Sequence, residues 1–289
     1  MIKMQTYFTV LCIIFIIITG LVLLKFVHWI FSIIVVPILL GIFLYYLFTS
    51  KKNTSTPPSR YINNSHHYSL TLRYMWGLWD SSDIPSKYLK NQEKNQNILK
   101  GSNKITHGKK DIEDLVLKYS EEFDNEFSNI YNSIKRNVCK ADLGRYLLIY
   151  YYGGVYLDND VDIKTPFSMS DLKNHKNGVW YTENIVNVEV LDPREEKIPN
   201  RYANYIIASL YPGNTILLDI IKESSKRIKT LKDSINWTDN DILWSTGPDV
   251  VTAILTHTKH SNFIIYDKQK SDKILIHTCE GSWRKNKNK

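Results

Sequence analysis

Residues 139–162 read CKADLGRYLLIYYYGGVYLDNDVD and predict a helix, a glycine break, a short strand and an acidic strand end. Leucine, isoleucine and tyrosine supply apolar bulk for packing the helix. Gly153 and Gly154 suit its C-terminal end, because a positive φ is cheap only for glycine. Residues 155–157 are apolar throughout and indicate a buried strand. This stretch therefore predicts a helix–turn–strand unit around which the rest of the chain is organised.

Three aspartates, Asp158, Asp160 and Asp162, follow the predicted strand at every second position. Like charges this close repel one another, so the cluster favours a bound cation. Carboxylate oxygens suit Mg²⁺ or Mn²⁺, which commonly bridge protein carboxylates to substrate phosphates. Ligands of open α/β sheets bind at the carboxyl ends of strands. The cluster thus indicates a metal–diphosphate site, although an isolated Asp-x-Asp is more often a solvated acidic turn.

The 289-residue chain carries a formal net charge of +8, densest in the tail at residues 284–289. A nucleic-acid-binding protein would carry a basic, aromatic-lined face on a recognisable module, and the sequence shows no such module. We therefore expect no nucleic-acid partner; the charge fits a membrane surface or anionic donor and acceptor molecules. Cys12, Cys139 and Cys279 allow at most one disulfide and have no zinc-ligand spacing.

Residues 7–48 are almost wholly apolar and predict a membrane anchor. Residues 7–24 and 26–48 are each long enough for a bilayer crossing, which takes about 20 residues. Two transmembrane helices are the favoured interpretation, and one span with an interfacial or re-entrant segment is the alternative. The short apolar core and cleavage site of a signal peptide are both missing. The predicted organisation is a transmembrane anchor at 1–50, a linker at 51–68, one globular domain at 69–283 and a basic tail at 284–289.

The orientation of this anchor stays open on sequence grounds. Lys51 and Lys52 favour a cytoplasmic start of the globular domain by the positive-inside rule. Asn53, Asn63 and Asn236 begin glycosylation sequons, which would matter only in a lumen. Such tripeptides also arise by chance in an asparagine-rich chain, so the side of the membrane is not assigned.

Strand and helix patterns alternate along residues 69–283, which predicts an α/β domain. Predicted strands cover residues 69–78, 155–157, 178–182, 205–210, 263–266 and 274–277. Predicted helices cover residues 86–97, 111–123, 126–135 and 250–258, and another helix ends near residue 229. A basic loop is predicted at residues 101–110.

The opening stretch resembles the core of glycosyltransferases with a DXD sugar-binding region. That group includes initiating α-1,6-mannosyltransferases, inositol-phosphoceramide mannosyltransferases and capsular sugar transferases. Its members carry an Asp-x-x-Arg-Tyr helix followed by Gly-Gly-(Val/Ile)-Tyr-Leu-Asp-x-Asp. The residues that match this pattern are Asp142, Arg145, Tyr146, Gly153, Gly154, Tyr156, Asp158 and Asp160.

Three weaker matches follow the order of the same family and extend the resemblance over most of residues 70–283. Trp79 with residues 83–85 resembles the family's opening Trp…Ile-Pro segment, but Trp76 stands where the family usually has histidine. Residues 245–248, STGP, resemble its Thr-Gly-Pro loop. His277 followed by Gly281-Ser282-Trp283 resembles its terminal His…Gly-Ser-Trp.

The resemblance implies a GT-A-type, Rossmann-like single domain that binds a nucleotide sugar. It also implies retaining hexose transfer from GDP-mannose or a UDP-hexose, with Mn²⁺ or Mg²⁺ as cofactor. The implied acceptor is a glycan, a glycolipid or a glycoprotein. Two other classes stay open: a non-catalytic sugar- or nucleotide-binding membrane protein of the same fold, and a metal-dependent phosphohydrolase.

The resemblance also assigns roles around the metal. Asp160 would bind it directly, Asp158 would bind it or contact ribose or donor sugar, and His277 would be a further ligand. Arg145 and Asp142 share a helix face and would bind donor hydroxyls or phosphate. A surface ion pair is the alternative for these two, and a strand-end histidine without a metal is the alternative for His277.

Aromatic and C-terminal residues complete the expected donor site. Trp79 and Tyr156 would pack on base and ribose, although either could be a core residue. Ser282 would support the metal site, and Trp283 would reach the leaving-group oxygen or cover the diphosphate. Asp162 is expected to be structural and not a ligand.

Overall fold

A computed structural model describes residues 19–21, 23–25, 29, 70–78, 83–183, 200–231 and 236–279. The chain divides into two compact units, residues 1–58 and 59–289. Within the described ranges, no helix combines the length and apolar character that a membrane crossing requires. Most of the candidate spans at 7–24 and 26–48 lies outside the described residues, as do Trp79, Ser282 and Trp283.

The second unit alternates strands and helices, which confirms the α/β class. Its strands are β1 (Thr71–Met75), β2 (Asn103–His107), β3 (Gly154–Leu157), β4 (Val161–Ile163), β5 (Val179–Tyr181), β6 (Ile206–Ser209), β7 (Ile264–Tyr266) and β8 (Leu275–His277). Its helices are α1 (Ser86–Ile98), α2 (Lys109–Glu122), α3 (Phe127–Ser133), α4 (Asn137–Tyr152), α5 (Met169–Asn174), α6 (Thr215–Thr230), α7 (Asp239–Ser245), α8 (Pro248–His257) and α9 (Lys268–Ile274).

Six strands form the central sheet in the order β2-β1-β3-β6-β5-β7. β1 runs parallel to both β2 and β3, and β5 runs parallel to β7. β6 lies between β3 and β5 and is antiparallel to both. β4 and β8 form a separate antiparallel pair, in which Val161 lies opposite His277. Through this small sheet, the acidic turn between β3 and β4 lies beside β8, the last described strand.

The sheet separates two apolar clusters, and β3 contributes to both. Tyr156 packs into the cluster that contains α4, whereas Val155 and Leu157 face the opposite cluster. This alternation follows from the two-residue period of a strand. Because both faces are covered, β3 is buried along its whole length, as expected for a central strand of an α/β sheet.

The junction of α4 and β3 requires both glycines. Gly153 and Gly154 have φ values of +63° and +99°, as the sequence predicts. A Cβ on Gly153 would lie 2.6 Å from the carbonyl oxygen of Leu210, and one on Gly154 would lie 2.5 Å from that of Thr71. The buried Arg73 guanidinium donates to the Gly153 carbonyl through Nε at 2.7 Å, where a cation stabilises the C-terminal end of α4.

Several elements were not predicted from the sequence. β2 lies inside the stretch predicted as a basic loop, because this edge strand leaves alternate side chains exposed and has no apolar run. β4 has three residues with Asp162 in the middle, so its pattern resembles the acidic turn before it. The short helices α5, α7 and α9 were also missed; each has seven residues or fewer.

Candidate active site

Asp158, Asp160 and His277 meet at the carboxyl end of β3. Asp158 directly follows β3, Asp160 lies in the next turn, and His277 ends β8. One ligand atom from each residue lies within 4.8 Å of the other two. Nε2 of His277 is 3.4 Å from Oδ1 of Asp160. The structure therefore brings together the three residues that the sequence predicted as metal ligands.

Backbone hydrogen bonds hold this turn in place. The Asp158 amide donates to the Tyr205 carbonyl at 2.9 Å, and the Val161 amide donates to the Asp158 carbonyl at 3.1 Å. The amide and the hydroxyl of Thr278 both donate to the Asp160 carbonyl, each at 3.1 Å. Thr278 was not predicted as a site residue, and its position beside His277 is the only sequence signal for it.

The Asp158 carboxylate is oriented by two side chains. The Tyr156 hydroxyl donates to its Oδ1 at 2.6 Å, and Nη1 of Arg145 donates to its Oδ2 at 3.3 Å. Each carboxylate oxygen has two acceptor sites, so both can still face a ligand. Tyr156 was expected to pack on ribose; the structure places it in the core, with its hydroxyl on Asp158.

Arg145 and Asp142 form a buried ion pair and not a surface one. Nη2 of Arg145 lies 3.1 Å from Oδ1 of Asp142, and the two side chains are only 7% and 4% exposed. The guanidinium also lies 5.2 Å from the ring centre of Tyr156. Its Nε has no hydrogen-bond acceptor among the described residues. Arg145 therefore links Asp142 to Asp158.

Asp142 is bonded to protein groups through both oxygens. The Thr246 hydroxyl donates to Oδ2 at 2.9 Å, and the Asn204 amide donates to Oδ1 at 3.0 Å. Burial raises the pKa of Asp142 to about 6, against the opposing effects of Arg145 and Thr246. Thr246 belongs to the Thr-Gly-Pro match, so that motif contacts the Asp-x-x-Arg helix. Asn204 was missed, because a single asparagine before a strand carries no distinctive signal.

His277 lies against Tyr205 and Cys279. Its ring centre is 4.0 Å from that of Tyr205, and its Nδ1 is 3.4 Å from the Cys279 sulfur. Burial by itself lowers the pKa of His277, but Asp160, Asp158 and Glu183 together raise it. Two carboxylates suit Mg²⁺ or Mn²⁺, and the imidazole favours a transition metal. The residues present thus fit Mn²⁺ better than Mg²⁺.

The remaining predicted residues have separate positions. Asp162 forms an ion pair with Nζ of Lys94 at 3.1 Å, in agreement with a structural role. Trp76 donates from Nε1 to the Asp83 carbonyl at 3.0 Å, and its ring centre lies 5.4 Å from that of Tyr88. The roles predicted for Trp79, Ser282 and Trp283 fall on residues outside the described ranges.

Comparisons with known proteins bear on this site. Residues 61–180 match the family model described as "Glycosyltransferase sugar-binding region containing DXD motif". Inositol phosphoceramide mannosyltransferase 1 of Schizosaccharomyces pombe is 27% identical over 97 residues, which cover 32% of this chain and 29% of that protein. A solved structure described as PaToxG glycosyltransferase aligns with a TM-score of 0.41 at 16% identity, covering 73% of this chain and 76% of that chain.

The matched residues contain the elements that carry the two aspartates of the site, whereas His277 lies outside the match. Helix α4, the glycine turn, β3 and the aspartates Asp158 and Asp160 all lie between residues 61 and 180. The family match therefore confirms the resemblance first noted in the sequence, and the aligned region spans less than a third of the length of the fungal relative. Over residues 61–180, the chain is therefore similar to glycosyltransferase sugar-binding regions that contain a DXD motif.

Proposed function

We propose that this chain is a membrane-anchored, metal-dependent, retaining glycosyltransferase. It moves a hexose from a nucleotide-diphosphate sugar to a glycan, a glycolipid or a protein. The observation that supports this most is the meeting of Asp158, Asp160 and His277 at the end of β3, with the two aspartates inside the matched region and His277 outside it. Membrane anchoring is supported by the apolar composition of residues 7–48.

The metal is held by Asp160 and His277, with Asp158 as the third ligand. When bound, Mn²⁺ neutralises the negative charge that develops on the departing diphosphate. Arg145 and Tyr156 keep the Asp158 carboxylate in one orientation before the donor arrives. A carboxylate that is already oriented loses little freedom on binding, so its interaction with the metal or the donor ribose is stronger.

The pair of Asp142 and Arg145 supports donor binding in two ways. Arg145 acts on Asp158 through Nη1 and keeps that carboxylate oriented towards the donor side of the turn. Asp142 holds the guanidinium in place and, through Thr246, fixes the Thr-Gly-Pro loop beside it. Oδ2 of Asp142 accepts one bond, from Thr246, and keeps a second acceptor site.

The test is release of nucleoside diphosphate from a panel of sugar donors in the presence of Mn²⁺. The name of the fungal relative places a mannosyl donor first in the panel and inositol phosphoceramide first among the acceptors supplied with it. Asp160→Asn removes one anionic ligand at nearly constant size, and we expect activity to fall at least about 100-fold. Asp162→Asn is the matched control, because Asp162 lies only two residues further along, on β4, and pairs with Lys94.

Three outcomes decide between the function classes. Full activity in Asp160→Asn would contradict the proposed site. Metal-dependent donor binding without turnover, over the whole panel, would favour a non-catalytic binding protein. Phosphate release without sugar transfer would favour a phosphohydrolase. For an active enzyme, the anomeric configuration of the product, measured by NMR, tests retention.

A further inference from the structure

The acidic turn is bonded to a row of amide side chains on α1. Nδ2 of Asn91 donates to the carbonyls of Asn159 and Val161 at 2.9 and 3.0 Å. Nδ2 of Asn95 donates to the same Val161 carbonyl at 2.8 Å, and its Oδ1 accepts from the Ile163 amide at 2.8 Å. Helix α1 therefore contacts the turn and β4 through polar bonds to their backbone.

Asn159, between the two aspartates, is bonded through both atoms of its amide. Its Oδ1 accepts from Nε2 of Gln92 at 2.8 Å, and its Nδ2 donates to the Met75 carbonyl at 2.9 Å. Gln92 is buried and also accepts from the Thr106 hydroxyl at 3.4 Å. The middle residue of the Asp-x-Asp motif thus joins the turn to α1 and to the end of β1.

The hydrogen bond between Gln92 and Asn159 acts on the backbone that carries the two aspartates. A buried amide that loses its partner remains desolvated, so the surrounding backbone must move or open to water. Here that backbone carries Asp158 and Asp160 on either side of Asn159. A small displacement of the turn would separate the two carboxylates from His277, which is held on β8.

We propose that Gln92 and Asn159 are positioning residues of the metal site. Their hydrogen bond fixes the turn so that the carboxylates of Asp158 and Asp160 converge with His277. The inference rests on the proposed function in so far as a divalent metal is the ligand. It assigns a role in metal affinity to a glutamine on α1 that lies outside the DXD motif.

The experiment measures Mn²⁺ affinity in the full-length protein by titration calorimetry, without donor or acceptor. The variants are Gln92→Leu, Asn159→Ala and the double variant. The matched control is Gln96→Leu, because Nε2 of Gln96 donates on the same helix to the Ser102 carbonyl at 3.0 Å, away from the turn. Backbone hydrogen exchange of residues 158–163 is measured for the same proteins.

We expect the dissociation constant for Mn²⁺ to rise about 10-fold in Gln92→Leu and in Asn159→Ala, as for other groups that orient metal ligands. The dissociation constant of the double variant should be about equal to that of either single variant, because the two side chains share one bond. Exchange of the turn amides should accelerate in Gln92→Leu and not in Gln96→Leu. Neither substitution should restore the Mn²⁺ affinity that is lost through the other one.

Two results would overturn the inference. One is an Mn²⁺ affinity of Gln92→Leu equal to that of Gln96→Leu. The other is full additivity of the two single substitutions. If the unmodified protein binds no Mn²⁺ and releases no nucleoside diphosphate, the proposed function fails. Hydrogen exchange then decides separately whether Gln92 holds the turn, since that measurement needs no metal; unchanged exchange in Gln92→Leu would reject it.

Discussion

Arg145 shows how one buried side chain can organise several functional groups. Its guanidinium reaches Asp142, Asp158 and the Asn204 carbonyl at distances between 3.0 and 3.3 Å. A planar fork can serve these partners at once because its donors point in fixed directions. An ammonium group at the same position would have to leave at least one of them unpaired.

We therefore expect Arg145→Lys to reduce kcat/KM for nucleoside diphosphate release about 10- to 100-fold. Arg227→Lys is the matched control. Arg227 is also buried, is bonded to Glu223 and lies 5.0 Å from the ring centre of Trp244, but it is outside the site. Equal activity losses in the two variants, at equal melting temperatures, would argue against a specific role for Arg145.

His107 makes stability depend on pH. Burial and the neighbouring Arg73 lower the pKa of His107 from 6.5 to about 4, against the opposing effect of Asp111. The unfolded chain therefore binds more protons than the folded one between these two values. The stability that this neutral histidine provides is present above pH 6.5 and is lost as the pH falls towards 4.

The expected size of this effect is up to about 3 kcal/mol between pH 7 and pH 4. His107→Gln removes the titration, so its free energy of unfolding should fall less over that interval than that of the unmodified protein. Urea unfolding at pH 7 and pH 4.5 measures how much the free energy of unfolding of each protein changes with pH. The contributions of the other titrating groups cancel when the two changes are subtracted. Parallel pH profiles would show that His107 is not responsible.

At the scale of elements, the α4–β3 unit has the most demanding geometry. Gly154 has positive φ and its Cβ position is filled by a backbone carbonyl, whereas Gly101 has φ +81° and open space around it. Gly101→Ala should cost about 1 kcal/mol of backbone strain, and Gly154→Ala at least about 3 kcal/mol. Chemical denaturation of both variants separates strain from steric contact. Similar losses would contradict this assignment.

The elements also differ in whether a local sequence pattern could predict them. Helix α4 and strand β3 were predicted because leucine, isoleucine, valine and tyrosine dominate both and two glycines mark the boundary. The metal-ligand candidates were predicted because carboxylates at a strand end have a recognisable chemistry. β2, β4 and the amides of α1 were missed, since their partners are distant in sequence and their own residues are polar. Gln92 is 67 positions from Asn159, and no local pattern joins them.

At the scale of the whole molecule, the anchor prediction can be tested directly. Full-length protein should stay in the membrane pellet after alkaline carbonate extraction and dissolve only in detergent. A chain that begins at residue 59, the start of the second compact unit, should appear in the supernatant. Extraction of the full-length protein by carbonate alone would contradict the prediction.

The bonds between Thr278 and Asp160 also bear on how the protein is made. The two residues are 118 positions apart, and His277 reaches the aspartates only when β8 pairs with β4. During translation the aspartates leave the ribosome long before their histidine does, and domains fold from the N-terminal side as they emerge. The nascent chain therefore cannot bring Asp158, Asp160 and His277 together until residue 277 has left the ribosome, and a product that is interrupted before this residue lacks the arrangement.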